Sequence, residues 1–185
     1  MPFCRSIYIF VEGDADKRFF ERIIKPLILK RKKYKPVHIL QWRQKKEDII
    51  GKLVNKFLEK GCKVVFTRDY DKIVQDDREQ INHNISSLKE EIIQNYKIKS
   101  KDDIFIIIRK IESWYLADTK KTFLKRLNIT PIENTININK KEFYKLKPIG
   151  MTKTEFLIEI TENFDIKMAK KKNSSFEYFL ERLGL

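Results

Sequence analysis

Three short stretches gather the side chains best suited to chemistry: Glu12-Gly13-Asp14-Ala15-Asp16, Arg68-Asp69-Tyr70-Asp71 and Arg109-Lys110-Ile111-Glu112. Each follows a compact apolar run. Carboxylates brought to one place repel one another, and a divalent cation offsets that repulsion most directly. Oxygen-only donors suit Mg²⁺ or Mn²⁺. In an extended segment residues two apart point to the same side, so Asp69 and Asp71 can share one metal or bracket a pair. Gly13 permits a sharp exit from a strand, and Asp16, in the helix that follows, can return toward the same place. The plainer alternatives are familiar. An isolated Asp-x-Asp is often a solvated turn, and Asp14 and Asp16 can serve only to favour a helix N-terminus through its dipole.

The elements that must position these residues alternate. Ser6–Val11 reads as a strand, and Phe19, Phe20, Ile23, Ile24, Leu27 and Ile28 recur at helical spacing over Ala15–Leu29. Pro26 is expected to end or kink that helix. A strand over Val37–Trp42 and an amphipathic helix over Glu47–Lys60 follow, with Gly61 as its stop. Then come a strand at Lys63–Thr67, a polar helix at Asp76–Tyr96, a strand at Ile104–Ile108 and a helix at Ser113–Leu127. The unbroken apolar character of Ile104–Ile108 predicts burial on both faces. Beyond an exposed connection at Thr130–Asn139, helices are expected over Lys141–Leu146, Thr152–Asn163 and Ser174–Leu183. Thr152 with Glu155, and Ser174 with Glu177, have the spacing of capping boxes. Alternation of this kind predicts an α/β, Rossmann-like fold with a mostly parallel four-stranded sheet covered by helices. Residues 1–127 would form the core, and 128–185 a helical extension packed on it within a single domain. Ligands of such sheets sit outside the carboxyl ends of the strands, where all three stretches fall.

Composition narrows the class. The chain has 185 residues, 42% hydrophobic and 36% charged, which is globular rather than disordered. Its apolar runs are far shorter than the ~20 residues that cross a bilayer, so no membrane partner is expected. Met1–Ser6 lacks a secretory pattern. Cys4 and Cys62, with no CxxC spacing, are expected to be reduced thiols in a cytoplasmic protein. A net charge of +14 favours a polyanionic partner, nucleic acid first, although abundant Lys, Ile and Asn also fit a biased composition. The densest basic runs, Lys30–Lys35 (with Lys32 and Lys33) and Lys170-Lys171-Lys172, can track a phosphate backbone or form solvated faces. His38 and His83 are isolated and read as structural. Trp114 and Tyr115 read as core, with a base-stacking platform as the functional alternative. No P-loop motif occurs, which argues against ATP hydrolysis by that route.

IYIFVEGDADKRFF followed by KVVFTRDYD resembles the Toprim domain, the Mg²⁺-dependent core of topoisomerases, bacterial primases and the overcoming-lysogenization-defect nucleases. The resemblance spans roughly residues 6–118. It implies Glu12 as general acid/base or metal ligand, Asp69 and Asp71 as ligands, and, in the EGxxD form of those nucleases, Asp16 as a further ligand. IRKIESWYLAD and SSFEYFLERL are similar to small stand-alone Toprim-like proteins found beside ATPases in defence-type gene clusters. There Glu112 and Trp114 belong to the motif, and Lys110 stands where a basic residue can stabilise phosphate charge. Arg68 before the Asp pair, and the lack of a glycine after Asp71, depart from the usual pattern. The resemblance implies a Mg²⁺- or Mn²⁺-dependent nuclease acting on DNA or RNA. The other expectations are a non-catalytic nucleic-acid or nucleotide-binding module, or partner subunit of an ATPase, and a basic protein whose acidic groups merely cap helices.

Overall fold

The computed structural model describes residues 4–71, 78–117, 121–130 and 132–185. Strands β1 (Ile7–Val11), β2 (Val37–Gln41), β3 (Lys63–Tyr70) and β4 (Ile104–Ile108) form one parallel sheet in the order β2-β1-β3-β4. The chain is therefore α/β and Rossmann-like, as its alternation predicts. β1 pairs with β2 from Ile7↔Val37 to Val11↔Gln41, and with β3 from Ile7↔Lys63 to Phe10↔Phe66. The winding reverses between β1 and β3, and ligands of open parallel sheets collect at that switch point. Ile9, Val65 and Ile107 are fully buried, the signature of strands covered on both faces.

The chain divides into two compact units. Of the described residues, the first holds 4–68, 78–106 and 185, the second 69–71, 107–117, 121–130 and 132–184. In the first unit the sheet carries an aromatic layer. Tyr8 stacks on His38 at 4.6 Å and on Phe57 at 3.6 Å, while Phe66 meets Phe10, Trp42 and Tyr96. His38 is thus a packed ring. Helix α1 (Asp14–Phe19) passes through a π turn at Phe20–Ile24 into α2 (Lys25–Lys30). Pro26 does not stop the helix. Its missing N–H and its ring disfavour the bond and the space of an ordinary turn, and the wider π turn just before it absorbs both. Helix α3 (Glu47–Glu59) stops near Gly61 at φ +70°, and α4 spans Arg78–Tyr96; the start expected at Asp76 lies outside the described residues.

Cys4 and Cys62 are joined in a disulfide. The expectation of reduced thiols is overturned, and with it the ground for a reducing compartment. The two cysteines lie 58 positions apart, so the pairing depends on the fold bringing the N-terminal segment beside the start of β3. Among the described residues no helix is long and apolar enough to cross a membrane.

The second unit is helical: α5 (Ile111–Tyr115), α6 (Lys121–Arg126), α7 (Lys140–Lys145), α8 (Lys153–Glu162), α9 (Ile166–Lys172) and α10 (Ser174–Leu183). The single helix expected over Ser113–Leu127 is instead α5 and α6, with residues 118–120 outside the described residues. Thr152 caps α8 as its spacing predicts. The capping box expected at Ser174 is not formed, because Asn173 caps α10 by accepting the Phe176 N–H at 3.1 Å.

Candidate functional site

In the first unit, Glu12 follows β1. The β1–β2 register continues one step as the Trp42 N–H donates to the Val11 carbonyl at 3.0 Å, which carries Arg43 alongside Glu12. Arg43 Nη1 lies 2.7 Å from Glu12 Oε1; the arginine side chain is 61% exposed and the glutamate 9%. Trp42 is held by its indole N–H, which donates to the Thr67 carbonyl at 3.1 Å, and Thr67 Oγ1 donates to the Phe10 carbonyl at 3.1 Å. Asp16 is buried and accepts the Gly13 N–H at 3.2 Å, and Asp14 accepts from Gln41 Nε2 at 2.7 Å. The Asp16 contact is the helix-start role of the plainer reading, whereas Asp14 is tied to β2. Gly13 has φ −139°, a backbone any residue adopts, and a Cβ there would meet only Asp16 Oδ2 at 3.5 Å. The turn does not depend on glycine.

In the second unit, β3 runs on through Asp69-Tyr70 instead of ending at Thr67. The Arg109 N–H donates to the Tyr70 carbonyl at 2.9 Å and Arg109 Nη1 to the Asp71 carbonyl at 2.6 Å, which keeps this segment extended. Alternation then buries Tyr70 and turns both aspartates the other way. Lys110 Nζ lies 2.5 Å from Asp71 Oδ1 and 3.5 Å from Asp69 Oδ2. One ammonium serves two carboxylates. Arg109 adopts φ +64°, a left-handed conformation that turns the chain between β4 and α5 and brings Lys110 to this position.

Glu112 is 2% exposed, with Lys140 Nζ 4.0 Å from Oε1. Burial pushes its carboxyl above the usual carboxylate range; its own backbone N–H, Lys140 and Lys110 pull the other way. Trp114 and Tyr115 are fully buried. Trp114 packs against Phe176 and Phe179 and donates its indole N–H to Ser175 Oγ at 2.8 Å. A stacking platform is thereby excluded, since neither ring presents a face to solvent. Asn173 completes the network, donating to Ser113 Oγ and to Thr135 Oγ1, each at 3.2 Å.

The basic runs are placed separately. Lys32 and Lys33 are exposed in the turn after α2, with the Lys33 ammonium 5.4 Å from the centre of the Tyr34 ring. Lys170, Lys171 and Lys172 form the last turn of α9, where cations suit the helix dipole.

Asp69 and Asp71 fit a hard cation in kind and in charge. They are oxygen donors at the end of β3 and already share a cation, the Lys110 ammonium. Mg²⁺ is commonly held by one or two carboxylates, with water and substrate phosphates completing its shell. Among the described residues no group of three or more His, Cys, Asp or Glu side chains is gathered as a metal cage. The repulsion that made a metal attractive is partly relieved by Arg43 and Lys110. The three acidic stretches do not point to Arg43. The run Gln41-Trp42-Arg43-Gln44-Lys45-Lys46 after β2 carried the signal.

No curated protein and no solved structure matches the chain. A family model described as a domain of unknown function (DUF4276) matches residues 11–184, with Glu12, Asp69, Asp71, Lys110 and Glu112 inside the match, and the chain belongs to that family.

Proposed function

We propose that the chain is a Toprim-type, Mg²⁺- or Mn²⁺-dependent nuclease that hydrolyses phosphodiester bonds of DNA or RNA. The observation that carries this reading is the sharing of one cation by Asp69 and Asp71, 3.5 and 2.5 Å from Lys110 Nζ, at the carboxyl end of β3, a strand beside the reversal of strand order. Asp69 and Asp71 would hold the divalent cation. When bound, that cation supplies an activated water and charge neutralisation at the scissile phosphate. In the Toprim-type reading Glu12 would be the general acid or base. Lys110 would give its charge to the phosphate oxygens. Asp16 and Glu112 enter as supporting groups, the first through the turn it closes and the second from a buried position on α5.

A second reading is favoured by the pairing of Glu12 with Arg43. A carboxylate already held by a cation suits a non-catalytic module that binds nucleic acid or a nucleotide, or that serves an ATPase as partner subunit in a defence system. A cytoplasmic location agrees with either, and the Cys4–Cys62 disulfide weighs against it.

The test is Mn²⁺- or Mg²⁺-dependent degradation of plasmid DNA, single-stranded DNA and structured RNA. Glu12→Gln keeps the size and loses the charge, and should cut the rate by roughly 10²-fold or more. Wild type that binds nucleic acid and metal yet cleaves none of these would favour the module. Undiminished cleavage by Glu12→Gln would remove Glu12 from the mechanism.

A further inference from the structure

We propose that the loop joining β2 to α3, Arg43-Gln44-Lys45-Lys46, is a contact for the phosphodiester backbone of a polynucleotide, with Arg43 bridging Glu12 and one phosphate. The inference rests on the nucleic-acid part of the reading above and is independent of metal and of cleavage. The sheet decides where the loop emerges. β1 and β2 run parallel with Val11 opposite Gln41, so the chain leaves β2 at the carboxyl edge, beside Glu12.

The base of the loop is rigid. Trp42 is buried, donates to the Thr67 carbonyl, and lies 5.0 Å from Phe66 and 5.8 Å from Tyr96 between ring centres. The Lys45 N–H donates back to the Trp42 carbonyl at 3.0 Å and closes the turn. A cation held on such a base loses little freedom when it binds, which favours affinity.

Guanidinium geometry supplies the bridge. Arginine offers five N–H donors in one plane, and its delocalised charge matches carboxylate and phosphate alike. Arg43 uses Nη1 on Glu12 at 2.7 Å while its side chain stays 61% exposed, which leaves an outward edge for a second anion. Lys45 and Lys46 are exposed and form no ion pair among the described residues. Lys170–Lys172 differ, because the dipole of α9 already accounts for a basic last turn. In the loop, three cations follow a strand whose neighbour ends in a carboxylate. A strand of phosphates laid across that edge would meet Arg43 first and the two lysines next.

The experiment is fluorescence anisotropy of labelled oligodeoxythymidylate and oligouridylate, in chelator so that no cleavage intervenes, across about 50 to 200 mM salt. Lys45→Ala with Lys46→Ala touches no buried group, so folding is preserved. Loss of two phosphate contacts should flatten the log–log salt slope by about 1.4 on these single strands. Arg43→Ala should weaken binding and Arg43→Lys should restore it only in part. Glu12→Gln should tighten binding by releasing the guanidinium. That gain should vanish in the Arg43→Ala background, a coupling of about two-fold or more that a purely structural arginine would not give. Unchanged affinity and slope in the loop variants overturn the proposal. So does a slope carried wholly by Lys170–Lys172, which would leave nucleic-acid binding itself standing. Displacement by inorganic polyphosphate as effective, per phosphate, as by oligonucleotide would overturn the polynucleotide assignment. Intact loop effects with no metal-dependent cleavage would remove the nuclease reading alone.

Discussion

Lys110 lies 3.5 Å from Asp69 and 2.5 Å from Asp71, the two carboxylates proposed above to hold a divalent cation. Any cation accepted there competes with an ammonium already in position. Lys110→Met should therefore tighten Mn²⁺ binding by roughly ten-fold, the effect of removing a positive charge at contact distance in a partly solvated site. Calorimetric titration of wild type, Lys110→Met and the double variant Asp69→Ala, Asp71→Ala checks this. Equal Mn²⁺ affinity in the first two would separate Lys110 from the metal position. Binding that survives in the double variant would place the metal elsewhere. The acidic positions were legible as residues, because strand ends of a parallel sheet are where polar groups collect. The ion pairs they form were not. Arg43 and Lys110 reach the carboxylates through strand order and a left-handed turn at Arg109, neither of which leaves a mark in the spacing of charges.

At the scale of elements, helix starts illustrate both what patterns reveal and where they mislead. Thr152 and Glu155 form a reciprocal cap on α8: the Glu155 N–H donates to Thr152 Oγ1 at 3.2 Å, and the Thr152 N–H to Glu155 Oε2 at 2.7 Å. Thr152→Ala should cost about 1 kcal/mol. The Thr152 side chain, and then its backbone N–H, hold the Glu155 carboxyl below its usual range. A group depressed in the folded state stabilises at pH above its ordinary range, and that contribution is lost as pH falls through the lowered value. Urea unfolding of wild type and Glu155→Gln should therefore converge at acid pH and diverge above it; a constant difference would deny the ionised cap. The same spacing at Ser174 misleads because Asn173, one residue earlier, is an equally good cap. It is also tied to Ser113, Thr135 and Ser175, all distant or invisible to a local pattern. Helix α9 escaped notice since Ile166, Met168 and Ala169 are too few to display a period. The four strands were plain, because buried parallel strands are written as continuous apolar runs. Only the continuation of β3 through Asp69 and Tyr70 was hidden, since Arg109, far along the chain, holds it.

For the whole molecule, the disulfide is the largest departure from expectation. Two cysteines without a motif spacing give no sign of pairing, and only the folded chain brings Cys4 to Cys62. Closing a segment of 58 positions restricts the unfolded chain, a stabilisation of up to about 4 kcal/mol in the chain-entropy view. Reduction, or Cys62→Ser, should accordingly lower the melting temperature, and the reductant should have no further effect on Cys62→Ser. An unchanged melting temperature on verified reduction would mean that the unfolded chain is already constrained. Alkylating trapped extracts before non-reducing electrophoresis would reveal which form the chain takes in its own compartment.

The extended course of Asp69-Tyr70-Asp71 makes this part of the chain sensitive to parity. Tyr70 is buried on one side and the two aspartates share the other, so one residue added between Tyr70 and Asp71 would send Asp71 to the opposite face, whereas two would return it. A length change of one should abolish the shared hold on Lys110, and a change of two should partly restore it. In this segment the chain should tolerate even steps and reject odd ones, a constraint on insertions and deletions that no single substitution would expose.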